Sequence, residues 1–138
     1  MRILRLCLLL LLLLCVAYAQ APRHRVVMAV TTLASDGWAL ALTDCDALLA
    51  SFGEGNVEIE VVAYGPAISM MHRDNTDFAS RMQQLTRHGV TFAAGESTMR
   101  LSRAQANEFL PFVKLVDSGP AEVVRRQEAG WSYLKGGF

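Results

Sequence analysis

The chain is poor in the residues that usually announce chemistry. It has three cysteines and three histidines among 138 residues. Two of the cysteines, Cys7 and Cys15, fall in a leucine-rich N-terminal run. Cys45 is then alone in the rest of the chain, so no internal disulfide can staple it, and the core must suffice or oligomerisation must help. No Glu-x-x-His, His-x-His or Cys-x-x-Cys spacing occurs, so no metal site is indicated and no cofactor is expected. An excess of one charge is missing as well: 13 basic residues balance 13 acidic ones. That balance gives no reason to expect nucleic acid or an anionic membrane as a partner.

One long apolar run is present, at the N-terminus. Arg2 and Arg5 precede Leu6–Val16, and Ala17-Tyr18-Ala19 has the small-x-small form of a cleavage site. Met1–Ala19 therefore reads as a secretory signal peptide cut after Ala19, with residues 20–138 forming one exported domain. The run is too short for a comfortable span, which needs roughly 20 residues, so retention as an anchor is the lesser alternative. A periplasmic or secreted location follows, with no membrane attachment after cleavage. Loss of Arg2 and Arg5 from the 13 basic residues would leave the mature chain slightly acidic.

The remainder alternates between strand and helix patterns. Val26–Val30 is a β-branched run suited to a strand buried on both faces. Gly37–Phe52 carries Trp38, Ala41, Leu42, Cys45, Leu48, Leu49 and Phe52 as one helical stripe, with Ser35 or Asp36 as its N-cap. Val57–Tyr64 predicts a second strand, stopped by Gly65-Pro66. Ala67–Arg73 reads as a loop or short helical turn. Asn75–His88 predicts a helix with an Asp77–Arg81 pair four residues apart. Val90–Ala94 is the third strand. Ser102-Arg103-Ala104-Gln105 has the form of a capping box opening a short helix. Phe112–Val116 is the fourth strand, and Ser118-Gly119-Pro120 begins a last helix whose stripe is Val123, Val124, Gln127 and Trp131. Tyr133-Leu134 is a candidate closing strand. The order predicts a single flavodoxin-like α/β domain, a parallel sheet of four to five strands with helices on both faces.

Three stretches in this order resemble one family. Val57–Pro66 resembles the second strand of DsrE-like (DsrE/DsrF-like, YchN-like) proteins, which runs to an Ala-His-Gly-Pro turn. Phe92-Ala93-Ala94-Gly95-Glu96-Ser97-Thr98-Met99 resembles the family's Ala-Cys-x-Asn-Thr-Met stretch. Gly119-Pro120-Ala121-Glu122 through Gly130-Trp131-Ser132-Tyr133 resembles its last helix and closing Gly-Trp-Ala-Tyr. The resemblance implies a flavodoxin-like fold and a homo-oligomer, a trimer or hexamer. In some members it implies sulfur relay, with sulfane sulfur held on a cysteine as a persulfide. A thiolate at a strand end beside a helix N-terminus has a lowered pKa and suits that task. Here the cysteine position is Gly95, the histidine is Tyr64 and the asparagine is Ser97.

The expected function is therefore that of a non-catalytic exported binding protein linked to sulfur metabolism. Its expected ligand or partner site comprises Tyr64, Gly65, Pro66, Gly95, Glu96, Ser97, Thr98 and Met99, because ligands of open α/β sheets sit at the carboxyl ends of the strands. One alternative is a sulfur carrier acting through Cys45, whose place on the apolar stripe favours a small buried hydrophobe instead. A further alternative is copper binding at Met70, Met71 and His72, where soft thioethers adjoin an imidazole. The carboxylate pairs Asp74/Asp77 and Glu58/Glu60 read as a helix-start charge and a solvated strand face. Arg125-Arg126 reads as a solvated helix face or an interface contact.

Overall fold

Five parallel strands form one sheet in the order β4-β3-β2-β1-β5. The computed structural model describes Pro22 and residues 24–138, so the expected signal peptide and its cleavage site lie outside the described residues. The strands are β1 (His24–Val30), β2 (Val57–Ala63), β3 (Val90–Gly95), β4 (Lys114–Val116) and β5 (Ser132–Gly136). The helices are α1 (Ser35–Phe52), α2 (Thr76–Arg87), α3 (Glu96–Ser102) and α4 (Gly119–Glu128). Two 3-10 helices, Gly65–Met71 and Ala106–Glu108, complete the chain. The flavodoxin-like α/β class read from the alternation is the class observed. Among the described residues, no helix is long and apolar enough to cross a membrane.

β1 and β2 are central, and their β-branched runs are buried as parallel strands between layers must be. Val27, Val30, Val61 and Val62 are fully buried. On one side, Met28, Ile59, Val61 and Phe92 meet Leu42 and Cys45 of α1 and Met82 and Leu85 of α2 in the main core. On the other side, a smaller core of Val27, Ala29, Val62 and Ala93 meets Val123 of α4 and Trp131. Val124, expected on the α4 stripe, is instead 52% exposed, and Tyr133 is 49% exposed. That side of the sheet is thus covered more thinly.

Several local expectations are corrected. The cap of α1 is Ala34, with the Thr32 hydroxyl accepting from its backbone N–H, rather than Ser35 or Asp36. Arg81 reaches across to Asp46 and Thr43 on α1 instead of back to Asp77. The inter-helix pair wins because it also ties two elements together. Ser102 ends α3; the reciprocal capping box is formed by Gln105 and Glu108 at the second 3-10 helix. β4 is limited to three residues, because Phe112 and Val113 still belong to the turn entering it.

Candidate functional site

The carboxyl ends of β2 and β3 bring the two expected stretches together. β2 leaves the sheet at Tyr64, and Gly65 turns with a φ of 58°. Pro66 sits at the start of the 3-10 helix, where its missing N–H costs nothing. β3 leaves at Gly95 and passes directly into α3, so Glu96, Ser97 and Thr98 form that helix's first turn rather than a free turn before it. The Thr98 hydroxyl oxygen accepts from the Gly65 N–H at 3.1 Å, linking the two exits. The Ser97 N–H donates to the Asp117 carbonyl, which ties the site to the loop entering α4. Met99 is buried in the main core and contributes nothing to the surface.

Close packing dominates the rest of this edge. A Cβ built on Gly95 would lie 2.7 Å from the backbone N of Gly119. A Cβ on Gly119 would lie 2.5–2.7 Å from the Cβ, Cγ and Cδ1 of Tyr64. Two glycines therefore let the N-terminus of α4 rest directly on β3 and on the Tyr64 ring. Gly95 has ordinary extended torsions (φ −79°, ψ 116°), so space rather than backbone conformation excludes a side chain there. Tyr64 is half-buried, and burial, with a smaller contribution from Tyr133, holds its hydroxyl above the ordinary tyrosine pKa.

Beside this edge runs an open groove of about 710 Å³ between the Gly65–Met71 3-10 helix and α3. Leu33, Pro66, Ile68, Leu101 and Ala104 line it. Leu33 and Leu101 are 65% and 87% exposed, which makes them the least covered leucines of the fold. A second hollow, of about 530 Å³, lies at the opposite edge of the sheet, between β5 and α1.

The alternatives are placed elsewhere. Cys45 is fully buried in the α1 stripe. Burial first, then Asp46 and Asp44, push its thiol up to about 12. Met70 and Met71 are both fully buried in the main core, and His72 packs edge-on against Phe109. Both thioethers thus serve as core packing. The histidines are apart: His24 stacks on Phe52 at 3.9 Å, and His88 meets Glu54 at 2.8 Å. Among the described residues no group of three His, Cys, Asp or Glu side chains is placed to hold a metal ion.

The largest departure from expectation is Glu60. The sequence pattern predicts a solvated pair with Glu58, yet Glu60 is 1% exposed at the middle of the central strand β2. Arg126 of α4 contacts its carboxylate directly, and Lys114 of β4 lies 3.6 Å away. Arg126 and Lys114 also reach Glu122, at 3.0 and 3.5 Å, and Arg125 bridges Glu122 and Asp117. Arg126 stacks 4.6 Å above the Trp131 ring. The expected solvated Arg125-Arg126 face is thus a charge network that clamps α4 onto the sheet. Neither Glu60 oxygen has an aligned hydrogen bond. Desolvation therefore outweighs the two cations, and Glu60 titrates above the ordinary carboxylate range. Glu122 is also desolvated, but Lys114, Arg125 and Arg126 together hold it below that range. The network was invisible in sequence, since Glu60, Lys114 and Arg126 are far apart along the chain.

The two shifts have opposite consequences. Glu122 contributes stability that is present above about pH 4.5 and lost as pH falls through its lowered pKa. Glu60 contributes stability only when protonated, and that contribution is lost as pH rises from about 4.5 through its raised pKa. Urea unfolding of Glu60→Gln and the wild type at pH 4 and pH 7 should show the variant gaining on the wild type at the higher pH. A wild type that instead gains on the variant as pH rises would contradict the assignment.

A single open parallel sheet with helices places the chain among the flavodoxin-like α/β folds. Its fold matches that of a protein of unknown function, MTH1491 from Methanobacterium thermoautotrophicum, with a TM-score of 0.76 and 32% identity over 81% of this chain and 98% of that one. The chain belongs to the same family as MTH1491. A conserved protein of unknown function, BT1422 from Bacteroides thetaiotaomicron, shares the fold at a TM-score of 0.63 and 13% identity, over 80% of this chain and 93% of that one. No family model and no curated protein matches the chain.

Proposed function

We propose that the chain is an exported DsrE-like protein that has lost the sulfur-accepting step and works by binding a ligand or partner at the carboxyl edge of its sheet. The observation that carries this reading is Gly95. It occupies the position where the resemblance expects the persulfide cysteine, and the Gly119 backbone fills the space a side chain would need. Cys45 is the free thiol of the described residues, and it is buried. Its depth and raised pKa argue against nucleophilic use. The export assignment rests on Arg2, Arg5, the Leu6–Val16 run and Ala17-Tyr18-Ala19.

A buried, protonated thiol should not react while the fold is intact. Iodoacetamide at pH 8 should leave Cys45 unmodified in the native protein and alkylate it once denaturant is added. Alkylation of the native protein at the rate of the unfolded one would restore the sulfur-carrier alternative. For assembly, the exposed Val124 and Tyr133 on the thinly covered side of the sheet support a homo-oligomer. Light scattering across a dilution series should show a species larger than the monomer that dissociates on dilution. A monomer at every concentration would end that part of the reading.

A further inference from the structure

We infer that the outer edge of β5 is a homodimer interface, at which β5 of a second copy adds antiparallel about a two-fold axis and continues the sheet. This rests on the homo-oligomer reading above and names the surface that carries it.

β5 ends the sheet, with β1 as its one strand neighbour among the described residues. Alternate N–H and C=O groups of Ser132–Gly136 therefore point away from the sheet with no strand to receive them. The opposite edge is a poorer template. β4 there has three residues, and its Lys114 is held by Glu60 and Glu122. β5 has five residues, without proline, and its register with β1 runs uninterrupted through them.

The strand is complementary to itself in face and in register. Pairing with β1 puts Tyr133 and Lys135 on the α4 side, beside Val27 and Ala29. Ser132, Leu134 and Gly136 lie on the α1 side, beside Val26, Met28 and Val30. A two-fold axis normal to the sheet keeps each side continuous with its own kind in the second copy. Centred on Leu134, that axis sets Ser132 opposite Gly136, Leu134 opposite Leu134, and Tyr133 opposite Lys135 twice. Every residue of β5 is then paired, and each lysine lies beside an aromatic ring. Centring on Lys135 would put two lysines face to face, which is unfavourable. Centring on Tyr133 would leave Lys135 and Gly136 without a partner in the facing strand. A lone lysine is a common guard on a free edge; this one disfavours the register that pairs it with itself.

The flanks leave room for the second copy. Tyr133 is 49% exposed, and Ser132 and Lys135 are exposed beside it. On the other side, α1 presents the short side chains of Ala47 and Ser51 near Leu134, with an open hollow of about 240 Å³ between them. Leu134 packs only partly against the main core, and Leu134 of the second copy would cover its open side. These side chains also choose the occupant. Any extended peptide would satisfy the backbone groups, but the side chains call for a leucine flanked on the other face by an aromatic ring and a cation. The chain itself supplies that strand.

The test is sedimentation velocity of the native protein across a dilution series, with amide hydrogen exchange read at both ends of the series. A dimer should form as concentration rises, and the amides of 132–136 should exchange more slowly in it. Tyr133→Lys should weaken the dimer at least about tenfold, because two cross-strand pairs are replaced by facing like charges. Tyr133→Glu should keep or tighten it, since each glutamate then faces Lys135 of the other copy. Adding Lys135→Glu to Tyr133→Lys should restore the dimer, a rescue that damage to the fold would not give. Equal weakening by Tyr133→Lys and Tyr133→Glu, or no rescue in the double variant, would overturn the pairing. So would a dimer or a three-fold ring in which exchange of 132–136 is independent of concentration. In that event the homo-oligomer reading stands and this surface is the wrong one, whereas a monomer at every concentration ends both.

Discussion

Arg126→Met should destabilise the protein at neutral pH by about 3 kcal/mol, read as a fall in the urea midpoint with an unchanged slope. The reason is asymmetric. Methionine keeps most of the packing on Trp131 and Glu122's other partners, Lys114 and Arg125, remain. Glu60 loses the cation in direct contact with it while still 1% exposed. A buried carboxylate without its closest counter-charge costs several kcal/mol or takes up a proton. Lys114 at 3.6 Å and the partial exposure of Arg126 keep the loss near the lower end of the range for broken buried pairs. Two controls follow from the same physics. Adding Glu60→Gln to Arg126→Met should recover most of the loss, and the single variant's deficit should narrow toward pH 4, where Glu60 is neutral. A double variant no more stable than the single one would show that Arg126 acts through packing alone.

Gly95→Cys should destabilise by about 2 kcal/mol, although it restores the residue that the family resemblance expects. The new Cβ meets the backbone N of Gly119 at 2.7 Å and its Cα at 3.3 Å. These are backbone atoms at the start of α4, so no flexible side-chain end can move aside. Relief requires α4 to lift, and α4 is held by Glu60 through Arg126 and by Tyr64 against Gly119. For a domain of this size, such a loss lowers the melting temperature by roughly 10 °C. A melting temperature equal to that of the wild type would mean that the edge yields easily, and the steric account of Gly95 would fail. Gly119→Ala at the facing position should behave alike, because its Cβ would collide with the Tyr64 side chain at its root.

These two predictions also mark where sequence reading stops. Strands and helices were legible because their signals are local: the Val26–Val30 run, the three-and-four spacing through Cys45, and the glycine after α2, which takes a φ of 90° as such a terminator should. The joining of Tyr64–Pro66 to Gly95–Thr98 was legible only through sheet topology, which places β2 beside β3. Glu60 was misread because alternation alone cannot say which face of a parallel strand a later helix will cover. Glu58 and Glu60 share that face, yet only Glu60 lies beneath Arg126. Met70 and Met71 suggested donors by composition, and their burial turned them into core. The groove was not foreseen at all. Leu33, Ile68 and Leu101 come from three separate segments, and none belongs to a periodic pattern that would have singled it out.

The proposed function requires that the protein have no thiol able to accept sulfur. Intact mass of the native protein after incubation with a sulfane-sulfur donor tests it most directly. The account predicts an unchanged mass, with Gly95 unable to carry sulfur and Cys45 protonated inside the core. A gain of one or more sulfur atoms that disappears in Cys45→Ser would contradict it and make Cys45 the acceptor.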